Sequence, residues 1–181
     1  MSIEYISREV AHIKRKYDET DPFRLARAMG IIVVFEAMGD FPEACKGFFM
    51  CQSRKKLITI NSDLPEIVQR IILAHEIGHA VLHRRELATL KAFHDFSLYD
   101  MTSKYEYEAN LFAAEYLLDD SEVIEKLNED AFFFGVAREL SVPPELLDFK
   151  FRILKNKGWL LDAPITARSD FLKGISERRD Y

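Results

Sequence analysis

Apolar residues Ile3, Ile6, Val10, Ile13 and Tyr17 recur at steps of three and four, which predicts an amphipathic helix at the start of the chain. Asp21-Pro22 opens a second short helix that runs through Met29, and Gly30 ends it. Residues 31–35 form a β-branched run of strand type, 47–51 a second and 57–60 a third. Turn-forming polar residues between the last two predict a hairpin. Over 64–85, Ile67, Ile71, Ala74, Gly78 and Leu82 fall on one buried stripe, with Asn61, Ser62, Asp63 and Pro65 supplying cap and first-turn chemistry. Residues 86–103 lack a clear period and read as a long connection of the lid or binding-loop kind. Thr102 or Ser103 then caps a helix from 105 to about 118. Shorter helices follow at 131–140 and 145–157, separated by Val142-Pro143-Pro144 and closed by Gly158.

These elements describe an α+β fold: a small three-stranded sheet, antiparallel or mixed, packed on the central helix, with a helical C-terminal portion. The expected division is a domain over 1–120, including the N-terminal helices, and a helical C-terminal subdomain over 121–181 packed on it. A chain of 181 residues with 48% hydrophobic and 30% charged residues can bury a core without staples. No apolar stretch is long enough for a membrane span, and the first twenty residues carry charges where a secretory signal needs an apolar core. The expected location is therefore cytoplasmic, with no membrane partner. Cys45 and Cys51 read as free thiols, too few for a disulfide framework or a cysteine metal site. The net charge of -5 argues against a broad nucleic-acid-binding surface. The basic runs at 12–16 and 53–56 read as a solvated helix face and a turn.

Inside the apolar stripe lies His75-Glu76-Ile77-Gly78-His79. Residues four apart on a helix are turned by about 40° and separated by about 6 Å, so both imidazoles can aim at one point. Neutral imidazole suits Zn²⁺, and a catalytic zinc site takes three protein ligands with one position left for water. Glu76 is rotated away from the two histidines and suits a general base acting on that water. The third ligand must come from elsewhere, and the helix at 105–118 offers Glu106, Glu108 and Glu115. Glu106 shares a stripe with Asn110, which can orient a ligating histidine as a hydrogen-bond partner. Glu106 is therefore chosen, with Glu108 on an irregular helix start as its competitor. His83 lies a further turn past His79, about 12 Å from His75 along the axis, and suits a supporting hydrogen bond better than ligation. His94 and Asp95 in the connection, with Tyr99 and Tyr105, are candidates for binding substrate or stabilising a transition state.

With these residues in view, the chain resembles the ImmA/IrrE family of zinc metallopeptidases. The resemblance runs from Gly47-Phe48-Phe49 through Ile58-Thr59-Ile60-Asn61, then residues 70–83 and 106–118, and less specifically on through Leu140–Pro144. It implies a zincin-like metallopeptidase domain holding one Zn²⁺ per chain, with His75, His79 and Glu106 as ligands and Glu76 as catalytic base. It further implies a substrate, a helix-turn-helix transcriptional repressor cut at one site, with the protein acting as an anti-repressor. Asp119-Asp120 departs from the Met-Pro ending that many members carry after the second helix. A different class of reading makes the protein a zinc-containing regulator that sequesters a repressor without cutting it. An intact Glu76 speaks against this, because a structural site needs no base. A helix-turn-helix over 131–157 is disfavoured by Glu145 and Asp148 at the head of its second helix, where phosphate would have to dock. The sequence names neither the repressor nor the oligomeric state.

Overall fold

The computed structural model describes residues 1–41, 44–52, 55–83, 99–128 and 132–172, with backbone only at 52 and 99–103. Helix α1 (Ile3–Tyr17) is capped by Ser2, whose hydroxyl accepts from the Tyr5 N–H, and buries Ile6, Val10 and Ile13 as the spacing predicts. Asp21 caps α2 (Pro22–Ala28) by accepting from the Phe23 and Arg24 N–H groups, with Pro22 pre-set for the first helical position. Gly30 follows at φ 65°, a left-handed turn that a side chain would strain.

Strands β1 (Ile31–Glu36), β2 (Gly47–Gln52) and β3 (Lys55–Asn61) form one mixed sheet in the order β1-β3-β2. The predicted β2–β3 hairpin is antiparallel, with Gly47 opposite Ile60 and Phe49 opposite Ile58. Strand β1 runs parallel to β3, Ile31 opposite Lys56. Both β1 and β2 are thus sheet edges among the described residues.

Helix α3 (Glu66–Leu82) lies under the sheet and packs along α4 (Tyr99–Leu117). Two boundaries differ from the sequence reading. The cap position of α3 is Pro65, with no side-chain cap bond. Asn61 is instead fully buried, donating to the Gly39 and Cys45 carbonyls and accepting from Met38 and Asp63 N–H, while Asp63 accepts from Gly39 N–H. Both side chains pin the β1–β2 connection to the end of β3, so they are unavailable to cap a helix. Helix α4 starts at Tyr99, not 105. Its first turns read Tyr-Asp-Met-Thr-Ser-Lys, without an apolar stripe, so periodicity gave no sign of them.

The α3–α4 contact is close because Gly78 faces Phe112. A β-carbon at position 78 would stand 3.1–3.2 Å from the Phe112 side chain. Ala109, Ala113 and Ala114 on α4 are also buried. Helices α5 (Asp120–Asn128), α6 (Phe133–Glu139) and α7 (Pro144–Asn156) complete the described fold, with α7 packed on α4 and α1. Its Leu146, Leu147, Phe149, Phe151, Ile153 and Leu154 join the core built on α1, α3 and α4. The Asp119-Asp120 pair has a local use. Asp119 accepts from the Ser121 and Glu122 N–H groups at the start of α5, and Asp120 meets Lys150 and Lys157 of the α7 segment. No helix of the described residues is long and apolar enough to cross a membrane.

Candidate metal centre

His75 and His79, on successive turns of α3, are buried, and their Nε2 atoms lie 3.0 Å apart. Glu106 of α4 completes the cluster, Oε2 at 3.2 Å from His75 Nε2 and Oε1 at 3.3 Å from His79 Nε2. These are the His/Cys/Asp/Glu residues, among those described, whose donor atoms group closely enough for one ion. Helix α4 is regular at this point, so Glu108, two residues on, leaves the cluster. It is buried beside His83, with Oε2 2.8 Å from His83 Nε2, and its other oxygen accepts from the Met1 α-ammonium.

The direction of these hydrogen bonds sets which lone pairs face the centre. A carboxylate only accepts, so His83 donates to Glu108 through Nε2–H and keeps a lone pair on Nδ1. That Nδ1 lies 3.1 Å from His79 Nδ1, which must then donate, leaving His79 Nε2 as a lone pair aimed at the cluster. Burial first, and the neighbouring His79 second, push His83 down to about 3, so it stays neutral as this relay requires. On the other histidine, Asn110 Oδ1 lies 2.8 Å from His75 Nδ1, and Asn110 Nδ2 donates to the Ser169 carbonyl at 2.7 Å. Oδ1 can only accept, so His75 too carries its proton on Nδ1 and turns a lone pair on Nε2 inward.

With both rings neutral and protonated on Nδ1, two imidazole lone pairs and a carboxylate converge, an arrangement that a bound cation satisfies. Donors about 2.0–2.1 Å from a tetrahedral zinc lie roughly 3.3 Å from one another, close to the 3.0–3.3 Å spacings here. The electrostatics agree. Burial pulls the His75 imidazole down, but the Glu106 hydrogen bond and the Glu76 and Glu106 charges outweigh it and leave it raised. Burial alone would raise Glu106, yet hydrogen bonds and charge from His75 and His79 hold it well below the usual carboxylate range. The pocket favours positive charge.

Glu76 sits between this cluster and the free edge of β2. Burial pushes its carboxyl up, opposed by His79 and His75, and it accepts from the Phe49 N–H of β2. The strand approaches this closely because residue 47 is glycine. A β-carbon there would come within 2.7 Å of Ile72 Cγ2 and 3.0 Å of the Thr59 carbonyl, and within 3.8 Å of Glu76 Cγ.

Of the other residues singled out in the sequence, Tyr105 packs its ring 4.6 Å from that of His83, one layer behind the cluster. Tyr99 begins α4, where only backbone is described, and His94 and Asp95 lie outside the described residues. Sequence reasoning missed the partnership of Glu108 with His83, and it missed the Phe49 N–H and the Ser169 carbonyl. The last two are backbone groups that no residue type announces.

Residues 26–152 match the peptidase family described as the IrrE N-terminal-like domain. The chain is also similar to an uncharacterized immunity region protein 2 of Bacillus phage phi105, 33% identical over 145 residues, covering 80% of this chain and 88% of the relative. It is similar to the metallopeptidase ImmA of Bacillus subtilis strain 168, 34% identical over 99 residues, covering 52% of this chain and 54% of that one. The family pattern spans both helices of the His-His-Glu cluster and the strand beside Glu76, and the chain belongs to the IrrE N-terminal-like peptidase family.

Proposed function

We propose that the protein is a zinc-dependent endopeptidase that cuts a helix-turn-helix transcriptional repressor at a specific site. The observation that carries this is the convergence of His75, His79 and Glu106 at 3.0–3.3 Å beside a buried Glu76. In this reading the first three hold one Zn²⁺ per chain. Zinc there supplies Lewis acidity, which acidifies water and polarises a peptide carbonyl. Glu76 takes the proton of the attacking water and delivers it to the leaving amine, so the bond is hydrolysed without a covalent enzyme intermediate. Its raised carboxyl is suited to both halves of that transfer, and the Phe49 N–H holds it against β2. The edge of β2 not paired with β3 offers backbone groups beside Glu76, on which an extended substrate segment can pair as an added strand. The immunity and metallopeptidase names of the relatives support a repressor as the target.

Incubation with the candidate repressor, with and without chelator, tests the reading. Two fragments are expected with metal, and none after chelation or with Glu76→Gln. A repressor left at full length but bound would instead mark a sequestering protein.

A further inference from the structure

After Gly158, at φ 98°, the chain turns back along α7 and ends its described course against the metal centre. Its anchors are specific. Ala167 N–H donates to Asp148 at 2.9 Å, and Arg152 donates to the Ala167 carbonyl at 2.8 Å while holding Asp148 at 2.6 Å. The Ser169 carbonyl accepts from Asn110 at 2.7 Å. Phe171 packs on Phe149, ring centres 5.7 Å apart, and with Leu172 covers Leu64, Val68 and Ile72 on the α3 side. Ile72 is one turn before Glu76.

We propose that residues 167–172 form a positioning strap for the metal centre, in which the Ser169 carbonyl fixes the Asn110 amide and the amide fixes which nitrogen of His75 faces the ion. The proposal rests on the metal-centre reading given above. An amide side chain has two ends of nearly equal shape and opposite hydrogen-bonding character. Turned one way Asn110 presents oxygen to His75, and turned the other it presents N–H. Only the first keeps the proton on Nδ1 and the lone pair on Nε2. A carbonyl can only accept, so the Ser169 oxygen selects that orientation by taking the Nδ2–H. With the strap lifted, Asn110 loses this constraint, and the His75 proton can move to Nε2, where it blocks ligation. The strap lies beyond residues 26–152, so this support of His75 is added to the shared peptidase pattern from outside it.

The test uses the full chain with Phe171→Ala, which loosens the strap two residues from the carbonyl. In the metal-free protein, at a pH high enough above the raised His75 value to leave the ring neutral, long-range proton–nitrogen spectra of the His75 ring are expected to change from a single Nδ1–H form to a mixture of tautomers. Zinc affinity, measured by chelator competition, is expected to fall about tenfold. Phe171→Leu is expected to restore both. Val123→Ala, a truncation of the same core on α5, controls for lost stability and is expected to alter neither. Arg152→Met, which releases the Ala167 carbonyl, gives a second route to the same two readings should Phe171→Ala not fold. If the His75 ring keeps one tautomer in the loosened variants, and zinc affinity matches the Val123→Ala control, the strap is packing only. If the parent itself binds no zinc, the metal-centre reading fails, while the ring spectrum of the metal-free chain still decides the strap.

Discussion

Helix α4 carries two carboxylate clusters, one near its C-terminal end and one near its middle, and they are completed in different ways. At its C-terminal end, Glu115 lies 2.5 Å from Lys150 and 2.6 Å from Lys157, and each lysine also reaches Asp120, at 2.5 and 2.6 Å. Two cations meet two anions, and Lys14 of α1 donates to the Glu115 main-chain carbonyl. Near the middle of the helix, half-buried Glu106 faces two imidazoles, His75 Nδ1 meeting Asn110 and His79 Nδ1 meeting His83, with Glu76 close by. The chain supplies the counter-charge of the first cluster from its own lysines, whereas the second groups its donor atoms closely enough for an ion. The partners of each carboxylate, ammonium groups in one case and imidazoles in the other, separate the two clusters.

The largest expected effect falls on the chemistry. Glu76→Gln is expected to slow repressor cleavage by about 10²–10⁴, the usual worth of a positioned proton carrier, with metal still bound. Fragment formation against time and metal content measure this, and full cleavage would remove Glu76 from the mechanism. Next, Lys150→Met breaks the first cluster by stranding charge in the core, and is expected to cost about 3–5 kcal/mol in urea unfolding while zinc affinity holds. A loss of zinc binding in that variant would mean the two clusters are coupled along α4. Third, zinc at a hundred times its dissociation constant is expected to stabilise the parent by about 2.7 kcal/mol and His79→Ala by far less. Equal stabilisation of both would place the ion elsewhere. The smallest effect is one of pH on the metal-free chain. His83 is lowered from 6.5 to about 3 in the folded state, so between these values the unfolded chain takes up a proton that the folded chain refuses. Its contribution to stability is present in full above about 6.5 and is lost as pH falls toward 3. Urea midpoints across that window are expected to decline in the parent and to decline less in His83→Asn.

The sequence made the faces that form the His-His-Glu cluster readable because they follow helical geometry. His75 and His79 differ by one turn, and Glu106 shares its stripe with Asn110, the residue that meets His75. The supporting layer was readable only in part. His83 could be assigned to a hydrogen bond by its distance along the axis, but its partner Glu108 looked like a rival ligand until α4 proved regular from Tyr99 onward. Asn61 and Asp63 have the residue types of helix caps, and serve the β1–β2 connection because that segment needs donors and acceptors more than Pro65 does. The Ser169 carbonyl and the Phe49 N–H belong to groups that every residue carries. Only the path of the chain reveals them.

Gly78 adds a consequence for the choice of ion. Phe112 is nearer to position 78 than a methyl group ordinarily tolerates, so the helix carrying Glu106 comes this close to the one carrying the two histidines with glycine at that position. A methyl there would move the helices apart by a few tenths of an ångström. That is about the difference between the bond lengths preferred by Zn²⁺ and those preferred by larger cations such as Ca²⁺. In the proposed zinc site, the calibre of the socket is thus expected to depend on a residue that carries no chemistry of its own.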